Sequence, residues 1–167
     1  NVVDMLIEHG LRERIKVIAS GKMINPAGVA WAMCVGADFV NSARGFMFAL
    51  GCIQAMKCEK NTCPTGITTH DKNLHRGLVV ADKAERVASF HRETIKALSD
   101  LIAAAGLSHP GDLRPSHFMQ RAAPDLSISF EELYHCMKPG ELLNGSAPSA
   151  MHHAWQLATP KSFAAQI

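Results

Sequence analysis

The stretch IKVIASGKMINPAGVAWAMCVGADFVN, residues 15–41, decides the fold. Ile15 to Ser20 is a short β-branched run closed by Gly21, the pattern of a buried strand. Asn25 offers a side-chain cap, Pro26 has the fixed φ that suits a first helical position, and Gly36 supplies a stop, so residues 26–35 are predicted to be helical. Ala37 to Asn41 is a second short strand, and after Ser42-Ala43-Arg44-Gly45 an apolar, helix-like stretch runs from Phe46 to Met56. Strand, helix, strand, helix at this spacing marks βαβ units and a parallel sheet. Two strands alone cannot make such a sheet.

Working outward, Val2, Val3, Leu6 and Ile7 predict the end of a helix that Gly10 stops. Downstream, Asp82 and Glu85 form a potential capping box, and apolar residues recur at 84, 87, 91, 94/95, 98, 101/102 and 105 before Gly106. That pattern predicts a long amphipathic helix packed on the body of the protein. Beyond it, His109-Pro110-Gly111, Pro115, Pro124, Pro139-Gly140 and Asn144-Gly145 separate short pieces, among them Phe130 to Met137, and a loosely helical tail is expected.

Composition narrows the classes. With 47% apolar and 19% charged residues in 167, the chain has an ordinary globular balance and enough length for one core. A formal charge of +2 gives neither the footprint of a nucleic-acid binder nor a polybasic membrane patch, so DNA and other nucleic acids are not expected partners. No run of 18 apolar residues is present, which excludes a spanning helix of ordinary hydropathy. The sequence opens at Asn1 inside an amphipathic run with no signal-type segment, which reads as a piece of a longer, cytoplasmic protein.

Five cysteines are an odd count, and Cys52, Cys58 and Cys63 fall within twelve residues as C-x5-C-x4-C, with Pro64 directly after the third. Without a secretory context, clustered cysteines point to metal or redox chemistry. Soft sulfur ligands suit iron–sulfur clusters, and three of them suit a three-iron cluster. The first thiol would leave a helix end, and the turn at Asn61-Thr62 with Pro64 would bend the chain so that the sulfurs converge. Two alternatives stay open: plain core packing, and zinc, for which the gaps are long and His70 is the one nearby residue to complete a set. Cys34 and Cys136 read as packing residues. The nine histidines include no H-x-x-x-H pair, His152 and His153 do not converge on a helix face, and neither G-x-S-x-G nor a P-loop occurs.

The run ASGKMINPAGVAWAMCVGADFVNSARGFMFALGCIQAMKCEKNTCPTGITTHD resembles the C-terminal part of the FMN-binding domain of glutamate synthases, especially short related proteins without an amidotransferase domain. The similarity is strong over roughly residues 10–80 and continues weakly through RGLVVADKAERVASF and PGELL. It implies an α/β fold: a partial (β/α)8 TIM barrel, its last two βα units with the cysteine loop in residues 1–80, and a helical C-terminal extension in 81–167. In such barrels phosphate binds at the loops after the late strands. By that resemblance Gly21 and Lys22 would approach the FMN phosphate through backbone N–H groups, with Ala43 and Arg44 closing from the other side. Arg44 departs from the Gly-Thr pair of the larger synthases, and its guanidinium would add a charge-assisted grip.

The resemblance further implies Cys52, Cys58 and Cys63 as ligands of a 3Fe-4S cluster that passes electrons to FMN, with 2-oxoglutarate reductively aminated to glutamate. The partners implied are 2-oxoglutarate, ammonia or a glutamine-derived amine, and a ferredoxin or NAD(P)H-oxidising electron donor. Nothing matches the N-terminal cysteine that releases ammonia from glutamine. A subunit making an N-substituted glutamate, a stand-alone iron–sulfur or metal module, and an inert fragment are the competing expectations. A complete barrel needs about 250 residues, so activity would belong to a longer parent chain.

Overall fold

A computed structural model describes residues 2–163. Helix α1 (Val2–Glu8) is followed by strand β1 (Ile18–Ser20), helix α2 (Pro26–Cys34), strand β2 (Phe39–Asn41) and helix α3 (Ala43–Leu50). Asn25 caps α2 as expected, its side chain accepting the Gly28 N–H at 2.8 Å, and Pro26 takes the first helical position. β1 and β2 pair in parallel, with Ile18 opposite Phe39, Ala19 opposite Val40 and Ser20 opposite Asn41.

Both strands are shorter than their apolar runs because a side chain takes over the ladder at their entry ends. Asp38 Oδ2 accepts the Val17 N–H at 2.8 Å, while the Asp38 and Phe39 N–H groups donate to the Val17 carbonyl at 2.9 and 3.2 Å. Arg12 and Lys16 lie 2.9 and 3.4 Å from the same carboxylate, and Arg12 also donates to the Gly36 carbonyl at 3.1 Å. Desolvation works against the Asp38 charge, but the hydrogen bonds from Arg12 and Val17 and the two cations together hold its pKa below the ordinary value.

Helix α4 (Lys72–His75) leads into the long helix α5 (Val80–Ala104). The expected capping box does not form: α5 starts two residues before Asp82, behind Val79, with no side-chain cap. Its buried Leu98 and Ile102 join Cys34 of α2 and Leu113 in the main core, against Val29, Ala30, Met33, Leu107 and Phe118. Burial raises the pKa of the Cys34 thiol, which packs in this core, and desolvation raises that of Cys136, which is partly buried outside the core clusters. α5 also covers α3. There Phe46 meets Phe90 edge-on at 5.2 Å, and a methyl group on Gly45 would sit 2.7 Å from Phe90 Cζ, so the two helices approach at that glycine.

The tail is not purely helical. Strands β3 (Met119–Ala123) and β4 (Leu126–Ser129) form an antiparallel hairpin around Pro124-Asp125, before the short helices α6 (Phe130–Leu133) and α7 (Glu141–Asn144) and helix α8 (Ser149–Leu157). Phe118 and Phe130 close the hairpin base edge-on at 4.6 Å. The tail returns to α1, where Asp4 and Glu8 accept the backbone N–H groups of Met137 and Leu142 at 3.3 and 3.1 Å. Met5 packs there with Met137, Leu142 and Ala147. No helix among the described residues is long and apolar enough to cross a membrane.

The Asp38 clamp has a measurable signature. Asp38→Ala is expected to cost about 2 kcal/mol, the scale of a charge-assisted hydrogen bond to a partly buried group. Because the folded-state pKa is depressed, this stabilisation is fully present above the unfolded value of about 3.9 and is lost as pH falls through the folded value. Urea unfolding of both proteins between pH 7 and pH 3 should therefore show the gap closing only in acid.

Candidate functional site

The parallel register brings two loops together. Because Ser20 stands opposite Asn41, the residues that follow, Gly21 and Lys22 after β1 and Ser42, Ala43 and Arg44 after β2, leave the same end of the pair. Gly21 and Lys22 both have positive φ, +118° and +55°, and nothing lies within 4 Å of where a Gly21 side chain would begin. The Ser42 hydroxyl donates to the Met23 carbonyl and ties one loop to the other. That bond diverts Ser42 from capping α3, so among the described residues no side chain caps the helix start at Ala43 and Arg44. Free N–H groups at a helix start favour anions.

Helix α3 begins three residues before its apolar run and stops at Gly51, which takes the left-handed conformation; the expected continuation to Met56 is instead a loop. Cys52 is thus the first residue past the helix end, and its N–H donates to the Met47 carbonyl at 2.9 Å. Lys83 Nζ and Arg86 Nη1 of α5 come within 3.6 and 3.8 Å of the point where a Gly51 side chain would begin, placing positive charge at the negative end of α3. Cys58 opens a single 3-10 turn, Cys58–Lys60. Non-glycine residues with positive φ are rare, yet Gln54, Met56 and Asn61 all adopt it inside this loop. A segment so shaped is held by its surroundings.

Asn61 is the latch. Its carbonyl accepts the Thr69 hydroxyl at 2.7 Å and its side-chain oxygen accepts the His70 N–H at 2.6 Å, which closes residues 61–70 around Cys63. Gly66 completes the turn, with φ +77° and the Leu74 carbonyl packed where any side chain would start. Cys63 Sγ lies 3.3 Å from Thr65 Oγ1. The Thr68 backbone faces the same sulfur, and so does the buried Thr68 hydroxyl, which falls short of full hydrogen-bond geometry. These groups, the Thr65 hydroxyl first, outweigh desolvation and lower the Cys63 pKa to about 6.

Cys52, Cys58 and Cys63 line one cavity of about 30 Å³, together with Arg44, Lys57, Thr65 and the apolar turn at Ile53, Ala55 and Met56. Its wall carries two cations and no carboxylate. Cys58, the exposed member, also borders an open cavity of about 410 Å³ with Glu59, Asn61, Thr68, Thr69 and His70. Among the described residues no group of three His, Cys, Asp or Glu side chains is arranged to hold a single metal ion. A cluster makes a different demand, because each thiolate then binds its own iron and the sulfurs stand apart. Of the residues singled out from the sequence, the structure gathers the cysteines and Arg44 on one wall, and sets Gly21, Lys22 and Ala43 at the strand ends. Lys57, Thr65, Thr68, Lys83 and Arg86 were not singled out; only the density of threonines after Cys63 hinted at any of them.

Comparison with known proteins gives the family. The family model described as the conserved region in glutamate synthase matches residues 1–108, and the chain belongs to that family. It is 41% identical over 135 residues to the glutamate synthase large subunit-like protein YerD of Bacillus subtilis, covering 80% of this chain and 26% of that protein. It is 36% identical over 109 residues to an archaeal glutamate synthase (NADPH) of Methanocaldococcus jannaschii, covering 65% of this chain and 21% of that one. A glutamate synthase (NADH) of Schizosaccharomyces pombe is 33% identical over 101 residues, 60% of this chain and 5% of the relative. The chain therefore spans about a quarter or less of these relatives.

The Cys63 environment can be read without any cofactor. Alkylation by iodoacetamide, mapped by mass spectrometry on the cluster-free protein, should reach half its maximal rate near pH 6 at Cys63 and fall away below it as the thiolate protonates. Thr65→Val should move that midpoint upward.

Proposed function

We propose that the chain is part of an FMN- and iron–sulfur-dependent, glutamate synthase-type oxidoreductase. In this reading residues 1–80 supply the last two βα units of a (β/α)8 barrel with the cysteine loop, and 81–167 form an extension. Support for the barrel comes from the sheet itself. Ile18 and Phe39 stand opposite each other and are each 59% exposed, an apolar face of the kind that further strands would cover.

The observation that carries the cluster assignment is the gathering of three cysteines on one cavity beside the exits of the parallel strands. The donor set fits a cluster: three soft sulfurs, one already shifted toward its anion, on a wall whose charges are positive. The enclosed volume is room for about two water molecules, so loading a 3Fe-4S cluster on Cys52, Cys58 and Cys63 would spread the loop around it. Backbone N–H groups of Gly21, Lys22, Ala43 and Arg44 would hold the FMN phosphate, with the open space at Gly21 allowing close approach. The chemistry these groups supply when bound is single-electron relay and hydride delivery to the imine of 2-oxoglutarate and ammonia. Cys58, open to solvent, is the side from which a ferredoxin or an NAD(P)H-oxidising partner would deliver electrons; the NADPH and NADH in the relatives' names accord with such a donor.

Anaerobic reconstitution of the full-length protein, with iron and sulfide analysis, EPR and a visible spectrum, tests the proposal. Three irons per chain, a three-iron EPR signal and a yellow flavin are expected, and Cys58→Ser should lose the EPR signal while the flavin stays bound. Zinc in place of iron, or a colourless protein, contradicts it. Turnover of 2-oxoglutarate with ammonia, glutamine or alkylamines then separates glutamate from an N-substituted product.

A further inference from the structure

Arg44 occupies two environments at once. Its backbone lies in the first turn of α3, on the strand-exit side, while its side chain lines the cysteine cavity. Among the described residues the guanidinium makes no ion pair and no hydrogen bond, in contrast to Arg12 or Arg114, whose guanidinium groups are engaged by carbonyls. The charges near the cysteines are predominantly cationic. Lys57 shares the cavity wall, and Lys83 and Arg86 approach the helix end beside Cys52, with Lys83 partly neutralised by Asp82 at 3.2 Å. Glu59 borders the other cavity instead.

We propose that the Arg44 side chain is an electrostatic positioning residue for the cysteine site rather than a clamp on the flavin phosphate. This inference rests on the iron–sulfur reading above. Thiolate ligation makes the site anionic, and uptake of one electron from the donor, with no bond made or broken in the chain, adds one negative charge. A cation on the cavity wall stabilises the more negative state the more, so Arg44 raises the reduction potential of the site. Solvent reaches Arg44, which moderates the effect and makes it weaken as ionic strength rises. The backbone N–H of residue 44 is untouched by a change of side chain, so direct phosphate contact and redox tuning can be read separately at this one position.

The test is an EPR-monitored redox titration of the reconstituted full-length protein, paired with FMN binding followed by fluorescence quenching. Arg44→Gln should shift the midpoint potential of the iron signal to more negative values, and Arg44→Lys should restore most of it. The FMN dissociation constant of Arg44→Gln should rise by less than about tenfold, the effect of losing a nearby charge rather than a direct phosphate contact. Failure of Arg44→Gln to hold a cluster, with FMN still bound and the cluster recovered in Arg44→Lys, supports the same charge pairing. An unchanged midpoint potential together with a tenfold or greater loss of FMN affinity overturns the inference while leaving the iron–sulfur reading intact. Absence of any iron signal from the unsubstituted protein overturns both.

Discussion

The structure depends on the clamp at the entry end of its parallel strands. A carboxylate that accepts the Val17 N–H and sits between Arg12 and Lys16 sets the register of β1 against β2. In a parallel pair of three residues each, the ladder alone is weak, and a slip by one residue would turn the side chains of the slipped strand to the other face. With the register held, Ser20 and Asn41 end level. The glycine turn after β1 then meets the start of α3, and α3 carries the chain to Cys52. The clamp at one end of the strands thus decides what can assemble at the other.

The second half of the site is shaped by packing rather than by pairing. α5 presses on α3 closely enough to demand glycine at position 45, and its Lys83 and Arg86 arrive beside the left-handed stop at Gly51. The loop beyond is then held from its far side by Asn61, whose backbone and side chain both bind the segment at Thr69 and His70. Positive φ at Gln54, Met56 and Asn61 is the conformational cost of drawing three thiols onto one wall. Under the proposed iron–sulfur reading that cost has a purpose; core packing has no need of it, since the main core forms elsewhere around Cys34, Leu98 and Ile102.

Much of this was legible in the residues. Asn25, Pro26 and Gly36 bound α2 as their chemistry requires, and the strand–helix alternation foretold the parallel pair. α3 is shorter than its apolar run because apolar residues continue past Gly51, and a hydrophobic run cannot reveal that a left-handed glycine has already ended the helix. Asp82 and Glu85 have capping-box spacing, yet α5 begins earlier, supported by its packing on α2 and α3. The β3–β4 hairpin was hidden because Met-Gln-Arg-Ala-Ala lacks β-branched residues; contact between Phe118 and Phe130 overrides that weak preference. Nor can local pattern show that Asp4 and Glu8 serve backbone groups more than 130 residues away, or that the Arg44 side chain turns toward the cysteines.

The family assignment covers the parallel strands, the cysteine loop and α5. The proposed iron–sulfur assignment is tested most directly by a crystallographic anomalous-difference map of the anaerobically prepared full-length protein, recorded on both sides of the iron absorption edge. Iron density bonded to the Cys52, Cys58 and Cys63 sulfurs, one iron to each, is the predicted result. Three sulfurs with no iron beside them, or a single zinc shared among them, would contradict it.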